Sequence, residues 1–263
     1  MRLSVEPVEI AQLKIFSSLA HGTSPKRYSL SGGESGLLRV GACGRGGSIE
    51  EHRDCFLRSL DIGPREVFLA RQVHGARTYV LDDPSVAGAA LATVEADAIV
   101  TGLVEKPIGV LTADCIPIVV YDPELRVVGA VHAGRKGTAE KILSRTIGVM
   151  RERYGCRPEN LRLGMGPGIG ACCYEVGEEC AGPFAQNFSG GKPFVKKSRG
   201  GKYLIDLFGA NEADGLDAGA LPGNIFRSGQ CTACSGDAFY SYRREGPGTG
   251  RMLTVAMLRR EKN

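Results

Sequence analysis

The chain has 263 residues, 43% of them hydrophobic and 24% charged, with a net charge of only +4. That is enough chain and apolar content to bury a large core, which excludes intrinsic disorder. The mild charge, the lack of a basic arm and the lack of any apolar run near the ~18 residues of a membrane span predict neither a nucleic-acid partner nor a membrane one.

In chain order, "MRLSVEPVEIAQLKIFSSLA" carries glutamates among its first ten residues and no continuous apolar segment, so no secretion signal is expected. A cytoplasmic location follows, where the nine cysteines read as metal-binding, catalytic or buried thiols rather than disulfides. Residues 22–48 and 189–202 are glycine-rich and polar and read as loops. The second contains "KKSRGGK" (Lys196–Lys202), a solvated basic run without interleaved aromatics.

"DAIVTGL", "IGVLTADCIPIVVYD" and "RVVGAVHAG" read as consecutive strands, the middle one buried on both faces. A helix beginning at Thr138 places Ala139, Ile142, Leu143, Ile147 and Met150 on one face, and Gly155 stops it. Further helices are expected around 177–187 and 205–218, with late strands at "NIFRSG" and "MLTVAML". Strands and helices mixed without strict alternation predict an α+β fold: one domain over 1–263, a mixed-sheet layered sandwich with flanking helices.

The four histidines are His21, His52, His74 and His132. His74 ends a short apolar stretch in "RQVHG", and His132 lies where an apolar strand gives way to small residues in "GAVHAG". Cys115 lies between them on the interrupted strand "TADCIPIVV". His, Cys and His are donors suited to zinc or copper, and three of them with one open position make a catalytic site. The same residues also admit a bland reading as core histidines and an inert thiol, and a third in which Cys115 is a nucleophile with His132 as its base.

Asp114, a carboxylate in an apolar strand, needs a polar partner or a role beside a metal. Strand alternation would aim it away from Cys115. "CTAC" (Cys231–Cys234) has zinc-knuckle and redox spacing but no second C-x-x-C, so its cysteines read as structural thiols, and the adjacent Cys172–Cys173 pair is less informative still. "GMGPGIG" reads as a tight turn near a site, because Ile169 and a proline break the dinucleotide fingerprint.

"RQVHG", "EADAIVT", "TADCIPI", "VHAGRKG", "GPGIGACCYEVG" and "CTAC…FYSYRRE…GR" together resemble, in order and spacing, the laccase-domain family, whose members are described as polyphenol oxidases and as purine nucleoside phosphorylases. The resemblance spans about Arg71 to Arg251. It implies one domain of cysteine-hydrolase-like fold and a metal, zinc first and copper second, held by His74, Cys115 and His132. It departs at Arg135 and Lys136, where a tryptophan and an arginine are usual, and at Leu30, where an arginine is usual. Gly32, Gly33 and Ser35 still match.

The function implied is metal-dependent phosphorolysis of adenosine or inosine, with deamination of adenosine by metal-activated water as a companion. Asp114, Cys115 and His132 would be catalytic, Asp114 as proton shuttle. Arg71, Lys136 and Arg243 would contact the anion, Lys136 aided by backbone N–H groups at a helix start. The partners are a nucleoside and phosphate, and the chain is expected as a monomer or small homo-oligomer. Three rivals share the residues: a copper-dependent phenol oxidase, which four histidines supply poorly; a Cys115–His132 hydrolase of a cell-wall precursor amide; and an inactive metal-binding homologue, as the altered "HAGRKG" and Leu30 would suggest.

Overall fold

A computed structural model describes residues 3–31, 35–41, 49–188 and 194–260. Gly32 and Gly33 of the "SLSGGES" motif lie outside the described residues. Leu30 ends the strand Arg27–Leu30 and Ser35 begins the strand Ser35–Leu37.

The central layer is a six-stranded mixed sheet, ordered Ile225–Arg227, Arg162–Met165, Ile116–Asp122, Val127–Ala133, Ala98–Thr101 and Thr78–Val80. The outermost pair at each end is parallel and the inner pairs are antiparallel. Alternation along Ile116–Asp122 sorts its side chains between two layers. Ile116, Ile118 and Val120 pack under the helices Ile142–Tyr154 and Leu207–Asp217. Val119 and Tyr121 face a second sheet of Leu19–Thr23, Met252–Leu258 and Ile108–Thr112. That sheet turns its outer face, with Ala20, Leu253 and Val255, to the helix Ile49–Ser59. The result is a helix–sheet–sheet–helix stack, the expected α+β layered sandwich. Each fully buried aliphatic side chain contributes ~1.5–3 kcal/mol, so these rows dominate the stability.

Three local expectations are corrected. The stretch 108–122 is not one strand: Ile108–Thr112 belongs to the smaller sheet and Ile116–Asp122 to the larger, with the break at Ala113–Cys115. The chain crosses between layers there, and Asp114 takes a left-handed φ of 89° to do so. Periodicity could not see this, because both halves are apolar on both faces.

The helix expected from Thr138 is two, Arg135–Ala139 and Ile142–Tyr154, separated by Lys141 at φ 63°. Tertiary contacts hold Lys141 there: its Nζ lies 3.3 Å from Asp217 Oδ2 and over the Phe188 ring. Gly155 caps the second helix as expected, with φ 74°. Finally, the segment 22–48 is not all loop, because Leu19–Thr23 runs into it fully buried and Arg27–Leu30 pairs with Ser35–Leu37.

Two histidines serve this framework. His52 Nδ1 accepts from the Arg39 backbone N–H, and His21 Nε2 accepts from that of Ile10. Burial depresses the His21 imidazole to about 4, only partly offset by Glu9. Ile10 donates to a lone pair that protonation would remove. The unfolded chain therefore takes up this proton near pH 6.5 while the native chain resists it until about pH 4. Stability from His21 is complete above the first value and falls with decreasing pH, by up to ~3 kcal/mol. Urea midpoints measured from pH 7 to 4 should fall more for the native sequence than for His21→Gln. Parallel curves would refute the assignment.

Candidate metal centre

At the end of the larger sheet, register pairs Pro117 with His132, and Cys115 closes the break that leads into the strand Ile116–Asp122. His74 arrives from outside the sheet on the "RQVHG" turn, in a left-handed conformation with φ 60°. The His74 and His132 rings meet edge to face with centroids 4.8 Å apart. The donor atoms of His74, Cys115 and His132 all lie within 4.8 Å of one another. His74 is exposed, Cys115 half-buried and His132 buried.

Two residues absent from the sequence-based site hold this geometry. Asp97, buried in "EADAIVT", accepts His132 Nδ1 at 2.8 Å and the backbone N–H groups of Val73, His74 and Gly75 at 3.2, 2.9 and 2.7 Å. It fixes the His132 tautomer with Nδ1 protonated and Nε2 free, and in the same act clamps the His74 turn. Burial alone would raise the Asp97 carboxyl, but His132 and the N–H groups of Gly75 and Val73 hold it below the usual carboxylate range.

Gln72 clamps the other side of the turn. Its side-chain amide donates to Leu111 O at 2.9 Å and accepts from Leu111 N at 2.7 Å. A left-handed His74 is strained by ~1–3 kcal/mol, and these bonds over-determine it. The signal for Asp97 was in the sequence, as an acid opening an otherwise apolar strand.

The donor set fits a metal by its own chemistry. A soft thiolate and two imidazoles suit zinc, and three protein donors leave a position for substrate. A Cβ on Gly134 would stand 3.1 Å from Cys115 Sγ, 3.1 Å from His74 Cδ2 and 3.5 Å from His132 Cε1, so glycine leaves room for all three donors. Without metal the centre is a mutual charge pair. Burial opposes ionisation of both groups, yet the facing histidines bring the Cys115 thiol down to about 6. Burial is likewise outweighed at His132, which the Cys115 thiolate and Asp97 raise to about 9.

The centre opens on a cleft of about 930 Å³. Lys136 and Arg243, both expected as anion contacts, line it, together with Arg135. Among the described residues neither Arg135 nor Lys136 has an acidic partner. The Arg243 guanidinium donates to Glu175 O at 2.6 Å and lies over the Tyr174 ring. Arg71 is not among the lining residues, because its guanidinium is taken by Glu95 Oε1 at 2.5 Å. Tyr174 and Tyr242 add aromatic surface, and burial pushes the Tyr174 hydroxyl up to about 12.

Asp114 lines the same cleft, but both of its oxygens are engaged. Oδ1 accepts from Thr232 Oγ1 and Oδ2 from the Arg243 backbone N–H, each at 2.6 Å. Across the crossover at Ala113–Cys115 the two side chains part, as alternation predicts: Asp114 faces the Thr232–Arg243 wall while Cys115 faces the histidines.

Residues 20–259 match the family model described as multi-copper polyphenol oxidoreductase laccase. A purine nucleoside phosphorylase of Deinococcus radiodurans is 37% identical over 214 residues, covering 81% of this chain and 79% of the relative. Adenosine deaminase RL5, from an unknown prokaryotic organism, is 37% identical over 202 residues, covering 74% and 76%. Among solved structures, a Bacillus licheniformis hypothetical protein, YfiH, superposes with a TM-score of 0.83 at 27% identity, covering 93% of this chain and 94% of that one. No helix among the described residues is long and apolar enough to cross a membrane.

Proposed function

From the premise that the chain belongs to the multi-copper polyphenol oxidoreductase laccase family, we propose that it is a zinc-dependent purine nucleoside phosphorylase. The observation that carries this reading is the meeting, in one cleft, of a His–Cys–His donor set with the cations Arg135 and Lys136, which have no acidic partner among the described residues. A phosphate oxygen bonds to the ribose anomeric carbon of inosine or adenosine as the carbon–nitrogen bond to the base breaks. The bonding pair leaves with the purine, which takes up a proton, and the products are free base and ribose 1-phosphate.

His74, Cys115 and His132 would hold the metal, which when bound would supply Lewis acidity. Arg135, Lys136 and Arg243 bind and orient the phosphate. Tyr174 and Tyr242 offer faces for the purine, and Tyr174 keeps its proton throughout the neutral range. Asp114, with both oxygens engaged, positions the Arg243 backbone and Thr232 rather than shuttling a proton. The relative named adenosine deaminase supports deamination of adenosine as a second activity of the same centre.

Copper-cluster oxidation fits the chain less well. His21 and His52 are committed to backbone donors, and the two remaining imidazoles fall short of a multicopper centre. A Cys115 hydrolase would draw on the thiolate–imidazolium pair and require the centre to work without metal.

The test is hypoxanthine release from inosine by metal-defined protein, with and without phosphate. Phosphate-dependent release abolished by chelation is expected, and turnover indifferent to phosphate would overturn the reading. Lys136→Ala should raise the KM for phosphate about tenfold with a smaller change in kcat, as loss of one ~1.4 kcal/mol charge contact would. An unchanged KM for phosphate would remove Lys136 from the site.

A further inference from the structure

Cys172, Cys173, Cys231 and Cys234, two pairs in the sequence, meet in the fold. All four Sγ atoms lie within 4.8 Å of one another, on two segments far apart in sequence. Cys234 Sγ is 3.4 Å from Cys172 Sγ and 3.2 Å from Cys173 Sγ. A disulfide requires about 2.05 Å. A tetrahedron with metal–sulfur bonds of ~2.3 Å has edges of ~3.8 Å, which is the scale of this cluster.

The backbone around the thiols is shaped to the same end. The Gly170 N–H donates to Cys231 Sγ at 3.2 Å, and N–H bonds of that kind stabilise a metal-bound thiolate. A Cβ on Gly170 would fall 3.2 Å from Cys172 Sγ and 3.3 Å from Cys231 Cβ, so glycine is what lets this turn approach so closely. Cys231 O accepts from Ser235 N at 3.0 Å, closing the turn that turns Cys231 and Cys234 to one side. Tyr174 N and Cys173 N both donate to Gly170 O, curling the adjacent pair to meet them.

We propose that Cys172, Cys173, Cys231 and Cys234 form a second metal site, a structural tetrathiolate that takes zinc. Four protein donors leave no open coordination position, so the site holds structure and does no chemistry. The sulfurs are too close together to enclose the larger core of an iron–sulfur cluster, and they suit one ion. C-x-x-C supplies half of a zinc-ribbon ligand set, and here the other half is the adjacent pair.

The site fastens one wall of the catalytic cleft. Thr232, inside "CTAC", donates to Asp114 Oδ1, and the carbonyls of Thr232 and Ala233 accept from Arg244 Nη1. Tyr174 follows Cys173 directly and lines the cleft. None of the four cysteines touches the His–Cys–His centre, and the inference stands whether or not the nucleoside reading does.

The experiment is metal analysis of protein purified anaerobically without added metal, in parallel with Cys115→Ser, Cys172→Ser and Cys234→Ser. We expect two zinc ions per native chain, one in each single variant, and none when Cys115→Ser is combined with Cys234→Ser. Cobalt added to metal-free Cys115→Ser should give the intense sulfur-to-metal charge-transfer bands of a tetrathiolate, absent once Cys234→Ser is added.

If the Cys172 or Cys234 variants fail to fold, zinc released by mercurial titration of the Cys115→Ser protein reads the same site: one equivalent supports it and none overturns it. Native zinc content in Cys234→Ser, or four cysteines found as disulfides by alkylation under denaturing, non-reducing conditions, would also overturn it. Iron in place of zinc would overturn the assigned metal.

Discussion

Cys115→Ser is expected to empty the His–Cys–His centre and to lower inosine phosphorolysis by on the order of a thousandfold, ~4 kcal/mol of barrier, with the fold intact. A hydroxyl is a poor zinc donor, and the loss removes the one anionic member of the triad. Because Cys115 is half-buried and adds little to the hydrophobic clusters, circular dichroism and thermal melting of metal-free protein should barely change. The pH dependence has a definite direction. In metal-free protein the thiolate forms above about 6, so alkylation of Cys115 should already approach its plateau near neutrality, where an ordinary thiol is still mostly protonated. Bound metal should block the alkylation. A serine variant that retains full metal and full turnover would remove Cys115 from the site.

Asp97→Asn should weaken metal binding at the same centre by about 10–100-fold, the usual effect of removing the partner that orients a ligating histidine. The amide nitrogen would meet donors where Asp97 now offers only acceptors: His132 Nδ1 and the N–H groups of Val73, His74 and Gly75. Asp97→Ala goes further and leaves those groups without an acceptor, costing about 3 kcal/mol of stability. Chelator competition gives the metal affinity, and kcat of the fully loaded Asn variant separates the two roles. Asp97 positions, so kcat at saturating metal should fall less than the affinity does. Unchanged affinity in Asp97→Asn would show that the His132 ring is held by its packing alone.

The three donors were legible one at a time: two histidines beside glycines and a thiol interrupting an apolar strand. What joined them in the sequence was family resemblance, since no spacing rule connects residues 74, 115 and 132. Their supports were less legible. Asp97 and Gln72 act on backbone groups of other segments, and a residue that bonds to distant main chain leaves no periodic trace in its own neighbourhood. Arg71 looked like an anion contact because it is basic and lies in the motif, yet Glu95, brought alongside by strand-like pairing, takes its charge. Arg135, noted in the sequence only as a departure from the family pattern, joins Lys136 and Arg243 in the cleft.

The sequence by itself determined the layered mixed fold, the apolar rows that fill it and the three separate donor residues, because hydrophobic periodicity and donor chemistry are properties of local stretches. Tertiary structure alone decided where "TADCIPIVV" leaves one sheet for another, so that Asp114 faces the Thr232–Arg243 wall and Cys115 faces the histidines. It alone also brought "CC" against "CTAC". Sheet order and crossover are set by which apolar faces bury one another across the whole chain, and no window of sequence contains that choice.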